Sequence, residues 1–507
     1  MDTSDYASEK SLIFLEQLSD YSIKRCEDLL SKELPFDESR ILIKTFLKAV
    51  EVTKEKMKKL RKNLNKYPKD EVKEQLTNYG KTLYKLHSFF VTLEPLGREN
   101  ISQASIYLME HITSKIDSKK TKFVFVPSYE FDFSITDFVE EMKSLLNDQE
   151  FDESVAKSDD SNPLPKIYLL EFPFVYKDNI VINSMIAHEI GHYICYQSLY
   201  KSNYTTESNQ YSEEISSILT SLSQKIWNES NLGQRKRKKA AQRRLGDLTP
   251  SEIRKKLTKL VEYLISSNVE EIVSDYVGLK LVGPVYMISL FYLLVGATSE
   301  EELYGTHPNF YTRMKILLNH FKETYKEYEN QELQDIVSSI ISFVTEYKRP
   351  DLEELGPVPR IVFKKFNDVA FMPEGVPTMN EGILKILNEF PEKIANKLVD
   401  DLDLKDSIEA YDPANLESEC SALIEILKAS VPPAEIKTGS PARIPSILNA
   451  GILYKNKDDL VVNESGEDRT SDYTLLIDRL VLKGVELSSI QSQFLKTKET
   501  IRNGKRE

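Results

Sequence analysis

Three residues carry the clearest chemical pattern in the chain: His188, Glu189 and His192, spaced H-E-x-x-H within Ile180 to Tyr200. On a helix, residues four apart lie one turn from each other on the same face, so both imidazoles can reach one ion. Glu189 directly follows the first histidine and leans to the side of such an ion, a placement that suits a general base acting on water. The surrounding segment is largely Ile, Val, Met, Ala, Tyr and Cys, which predicts a helix buried nearly all round. Two histidines and a carboxylate in such a place need a compensating partner, and a metal supplies one. The competing reading is a pair of core histidines satisfied by backbone carbonyls. With 6 His in 507 residues, an accidental H-E-x-x-H is expected in on the order of one such chain in a hundred.

A second carboxylate pair stands downstream, in E-E-I-V-S-D. Glu271 and Asp275 are one helical turn apart on an otherwise apolar stretch. Glu271 could add an oxygen ligand and leave a fourth position open for water. Asp275 could accept the spare N–H of a ligating histidine and fix its tautomer. Glu270 is the rival ligand, the weaker because its i+4 residue is Ser274. Further on, T-H-P-N-F-Y-T-R places His307 and Pro308 at a helix start, with Arg313 following. His307 and Arg313 could stabilise charge developing on a tetrahedral intermediate, with Tyr304 and Tyr311 as weaker candidates. The alternative for this element is a helix cap with an ordinary ion pair.

These residues need elements to hold them. Thr249, Pro250 and Glu252 form a start signal for a long helix running through Glu271 and Asp275. Lys122 to Val126 and Lys166 to Val175 read as strands, with an acidic amphipathic helix near Thr136 to Leu146 between them. That order puts a small sheet beside the motif helix, and an edge strand there could hold an extended peptide. Residues 1 to about 120 read as helices, with Asp37 as a cap and a lysine-rich solvated face from Lys54 to Lys62. Residues 201–250 read as a polar insertion carrying the basic run Arg235 to Arg244. Without interleaved aromatics, that run is read first as an exposed helix and second as a polyanion patch. After the boundary at Pro350 to Pro359 come further amphipathic helices and a tail, TKETIRNGKRE, expected to fray.

Composition sets the outer bounds. A net charge of −13 argues against a surface built wholly for nucleic acid. Three distant cysteines give no disulfide framework and point to a reducing, cytoplasmic setting, and the acidic N-terminus predicts no secretory leader. The one long apolar stretch, Val277 to Ala297, is interrupted by Gly283-Pro284 and reads as buried core, so no membrane span is expected.

The ordered set HEIGH, EIVSD and THPNFYTR resembles the gluzincin metallopeptidases. Its last element is similar to one in the branch holding CAAX prenyl proteases and HtpX-like heat-shock proteases. By residue match, the resemblance implies one zinc ion held by His188, His192 and Glu271, with Glu189 as base and Asp275 as the orienting carboxylate. It adds His307 and Arg313 as catalytic residues, and covers only about Asn183 to Leu318. Members of that branch are membrane proteins, a departure that leaves the substrate open. The expectation is a mainly α (α+β) protein with a zincin-like metallopeptidase core at 121–349, flanked by helical regions at 1–120 and 350–507. The expected activity is a zinc-dependent endopeptidase acting on a protein or peptide. The alternatives are a catalytically silent helical scaffold with a structural zinc, or a polyanion binder using residues 235–244.

Overall fold

The computed structural model describes residues 3–32, 34, 37–93, 101–114, 121–128, 133–145, 166–232, 249–295, 308, 310–325, 333–335, 337–338, 341–342, 377–401, 410–436, 440–455 and 470–504. The chain is mainly helical with a small mixed sheet, and divides into two compact units, Met1–Asn179 and Ile180–Glu507.

The first unit begins with helices α1 (Thr3–Leu30), α2 (Asp37–Lys62) and α3 (Lys69–Leu93), followed by α4 (Gln103–Ser114). Their apolar residues recur at helical spacing, and Leu12, Phe46, Met57 and Leu86 are sealed from solvent between α1, α2 and α3. The lysine-rich end of α2 carries surface ion pairs, Lys58 to Glu55 and Lys54 to Asp20. Strand β1 (Thr121–Ser128) pairs in parallel with β3 (Lys166–Pro173), and β2 (Ser134–Asp137) adds to the other side of β3, antiparallel. The middle strand reads K-I-Y-L-L-E-F-P and is buried at six of its eight positions, as a strand flanked on both sides must be. Helix α5 (Phe138–Leu145) follows β2 directly. The expected helix from Thr136 therefore starts two residues later, because Ile135 and Thr136 are drawn into pairing with Leu170 and Leu169.

In the second unit a short 3-10 turn, Ile182–Met185, leads into α6 (Ile186–Cys195), then α7 (Ser198–Gln210) and α8 (Ser212–Leu232). The first part of the expected insertion is thus two regular helices, and Arg235 to Arg244 lie outside the described residues. Helix α9 (Pro250–Val282) is the axis of this unit. Thr249 Oγ1 accepts from Glu252 N while Glu252 Oε2 accepts from Thr249 N at 2.7 Å, and Pro250 occupies the first helical position. From Asn268 to Val282 nearly every residue is buried, and α6 packs against this stretch.

The apolar stretch then breaks. Gly283 adopts φ 78, a left-handed value that suits glycine, and Pro284 opens α10 (Pro284–Val295). Among the described residues no helix is long and apolar enough to cross a membrane. Helix α11 (Phe310–Thr324) packs on α9 and α10, and α12 (Pro377–Asp401) on α9. Further elements include a π-helical turn, Leu416–Cys420, then α13 (Ser421–Lys428), the two-residue strands β4 (Glu435–Ile436) and β5 (Ser440–Pro441), α14 (Ile444–Lys455) and α15 (Thr470–Gly504). The tail expected to fray continues α15 as regular helix to Gly504. Cys26, Cys195 and Cys420 are free and buried.

Candidate metal centre

Helix α6 supplies His188, Glu189 and His192, and α9 supplies Glu270, Glu271 and Asp275. The two helices come unusually close because Gly191 faces Ser274: a Cβ built on Gly191 would stand 2.3 Å from Ser274 Cα. Any side chain there would push the helices apart, and Ser274 lies directly between Glu271 and Asp275 in the chain.

Three potential ligand side chains converge across this contact. His188 Nε2 and His192 Nε2 are 3.1 Å apart. Glu271 reaches both, with Oε2 at 3.3 Å from His188 Nε2 and Oε1 at 3.5 Å from His192 Nε2. Metal–ligand bonds of about 2.0–2.1 Å at tetrahedral angles put neighbouring ligand atoms about 3.3 Å apart. The three observed edges fit that figure. Glu189 forms a second grouping with the same histidines: one of its carboxylate oxygens and one nitrogen of each imidazole all lie within 4.8 Å of one another. His188, Glu189 and Glu271 are each 5 % exposed.

The outer face of each imidazole meets its own carboxylate. His188 Nδ1 lies 3.1 Å from Asp275 Oδ1, and His192 Nδ1 lies 3.0 Å from Glu270 Oε1. A carboxylate on Nδ1 favours the proton there and leaves the Nε2 lone pair facing inward. Two inward lone pairs and the Glu271 carboxylate repel one another; Arg313, with Nη1 3.2 Å from Glu271 Oε2 and Nη2 3.3 Å from His188 Nε2, offsets part of this, and a cation among the three would offset more. The donor set of two imidazoles and a carboxylate fits zinc. Burial and the Arg313 charge pull the His188 pKa down. Hydrogen bonds to Asp275 and Glu271 outweigh them and bring it up to about 9.

Glu270, weighed from sequence as a rival ligand, sits on the far nitrogen of His192 and orients that ring. Arg313, expected near developing charge, is spread over the carboxylates instead. Its Nε donates to Asp275 Oδ2 at 2.6 Å and Nη2 to Asp275 Oδ1 at 2.7 Å, while Nη1 is 3.2 Å from Glu271 Oε2. Only 6 % exposed, it is a buried bidentate counter-ion. Burial pushes the Asp275 carboxyl up, but Arg313 and His188 hold it below the usual carboxylate range. Tyr304 and His307, and the Tyr311 side chain, lie outside the described residues.

Tyr286, on α10, is the residue the sequence reading missed. It is fully buried, and its hydroxyl is 2.5 Å from Asp275 Oδ1 and 3.1 Å from His188 Nδ1. Burial, reinforced by Asp275, pushes the phenol pKa well up, so it stays protonated and donates to Asp275. It stands in P-V-Y-M-I-S-L-F-Y-L-L-V, an apolar run with no site signature. No family model matches the chain, and neither a curated protein nor a solved structure matches it.

Proposed function

We propose that the chain is a zinc-dependent endopeptidase with His188, His192 and Glu271 as ligands and Glu189 as general base. The observation that carries the reading is the convergence of three side chains, with the two Nε2 atoms 3.1 Å apart and each facing its own Glu271 oxygen at 3.3 and 3.5 Å, a spacing that suits a tetrahedral ion. A zinc ion held there would act as a Lewis acid toward water and toward a scissile carbonyl. Glu189 takes the proton of the attacking water and returns it to the leaving amine. Asp275 and Glu270 keep the imidazole Nδ1 atoms protonated, so that Nε2 remains a ligand. Arg313 offsets part of the charge of Glu271 and Asp275 and keeps Asp275 ionised.

The test uses three variants of the full chain. Wild type should hold about one zinc, His188→Ala and Glu271→Ala should lose it, and Glu189→Gln should keep it. Comparing new protein N-termini in cells expressing wild type or Glu189→Gln should then reveal cleavages made by the wild type alone. Identical N-termini in the two, with zinc bound in both, would sink the peptidase reading.

The burial of the ligands favours a second reading, a structural zinc in a catalytically silent scaffold, since structural sites are closed to solvent. That reading requires Glu189 to complete the coordination. Glu189→Gln would then weaken zinc binding instead of leaving it intact.

A further inference from the structure

We infer that Tyr286 is a positioning residue for the metal centre, and that the C-terminal segment aims it by fixing the helix break just before it. The inference rests on the reading of the site as a metal centre, and adds to it a support from outside the two ligand-bearing helices.

Tyr286 reaches Asp275 and His188 because α9 has a gap in its side chains at Gly278. A Cβ built there would stand 2.5 Å from the tyrosine ring. The ring lies nearly parallel to the His188 imidazole, at 12° with centroids 6.5 Å apart. One hydroxyl therefore touches the first imidazole and the carboxylate that orients it. An imidazole free to turn about its Cβ–Cγ bond would carry Nε2 away from the ion.

What sets the position of Tyr286 is the angle at which α10 leaves α9. A helix break exposes the last carbonyls of one helix and the first N–H groups of the next. Here the C-terminal segment takes up several of them. Asn449, on α14, accepts from Val285 N at 2.7 Å and donates to Val282 O at 2.8 Å, spanning the break with one amide. Tyr411 N donates to Lys280 O at 2.7 Å. Gly283 leaves the room: a Cβ on it would lie 2.7 Å from the Tyr411 ring and 3.1 Å from Asn449 Nδ2. Val285, held by Asn449, is the residue immediately before Tyr286.

The test measures metal binding by the full chain. Tyr286→Phe keeps the ring in the Gly278 gap and removes only the hydroxyl. Its zinc dissociation constant should rise about 10–100-fold, as for other groups that orient a metal-bound histidine. The visible bands of the cobalt-substituted protein should shift in position or intensity. Asn449→Ala, which touches no ligand, should change both in the same direction and less. Ser289→Ala removes a buried hydroxyl from the same helix that bonds Val181 O and Ser184, away from the imidazoles, and should bind both metals as wild type does. Wild-type affinity and unchanged cobalt bands in Tyr286→Phe would overturn the inference while leaving the metal site standing. So would an equal loss in Ser289→Ala, which would mark a general disturbance of α10. Failure of the wild type itself to bind zinc or cobalt would instead overturn the reading on which the inference rests.

Discussion

Helices α9 and α11 meet at two places seven α11 residues apart, and the two contacts treat a histidine in opposite ways. At the first, Asp275 and Arg313 form a bidentate pair against His188, whose pKa is brought up to about 9. At the second, the neighbour of Asp275, Tyr276, packs its ring on His320 with centroids 4.1 Å apart. The buried His320 Nε2 has no hydrogen-bond partner among the described residues. Burial, helped by the Lys280 charge, lowers its pKa to about 4. Desolvation works against the charged form at both histidines, yet the more deeply buried His188 is the one whose pKa is raised, so burial does not explain the difference. Carboxylates do: two face His188, whereas His320 has an aromatic ring and a lysine charge. One contact is built to hold charge and the other to exclude it.

Arg313→Ala attacks the charged contact and should have the largest effect. It leaves Asp275 and Glu271 buried together without their counter-ion, which costs about 3–5 kcal/mol for a broken buried pair. Denaturant unfolding of the metal-free protein measures it. A loss below about 1 kcal/mol would mean that the site tolerates free charge and that the contrast is wrong.

The uncharged contact is tested by pH. His320 has a folded pKa near 4 against an ordinary 6.5, so between those values the unfolded chain binds the extra proton. Its contribution is present above pH 6.5 and is lost as pH falls toward 4, up to about 3 kcal/mol. The chain's carboxylates add their own acid sensitivity, so the informative quantity is the difference between wild type and His320→Leu. The variant's stability should fall less over that interval, and parallel curves would show that His320 is protonated without penalty.

Gly191→Ala should cost about 1–3 kcal/mol, because its methyl meets Ser274 backbone rather than a movable side chain. It should also weaken zinc binding by separating the ligand-bearing helices. Gly80→Ala, in the middle of α3 with nothing within 4 Å of the added methyl, should stabilise by about 0.5–1 kcal/mol. Equal losses at the two positions would remove the close-approach argument.

How much of this was legible in the letters depended on whether a residue's role was set locally. The α9 start at Thr249–Glu252, the break at Gly283-Pro284 and the one-turn spacings within H-E-x-x-H and E-x-x-x-D all depend on neighbours a few residues away, and each is readable from sequence. Strand β2 was not, because four half-buried residues carry too short an alternation to outweigh the helical pattern that follows. Tyr286 was not, because its role depends on the direction of α10 and on a missing side chain at Gly278. Glu270 is the weaker ligand, as its spacing suggests, but its place beside His192 is not readable for a similar reason. Its i+4 residue, Ser274, suggested nothing, while its actual partner, His192, lies 78 residues earlier in the chain.

Glu270 also offers the finest test, since it splits the site itself into two halves. His188 sits inside the Asp275–Tyr286–Arg313 network, with side chains 7 % exposed or less. His192 and Glu270 are at the rim, 15 % and 29 % exposed. Water beside Glu270 screens its charge and can replace its hydrogen bond, whereas nothing replaces Asp275. Glu270→Gln keeps an acceptor oxygen for His192 Nδ1 and removes only the charge. Its zinc affinity should fall by no more than about tenfold, the lower end of the usual range for an orienting partner. Asp275→Asn should lose more, because it also takes from Arg313 its bidentate buried partner and leaves it only the Glu271 contact. A competition titration of both variants orders them, and a greater loss in Glu270→Gln would mean that the rim, and not the enclosed half, sets the geometry of the centre.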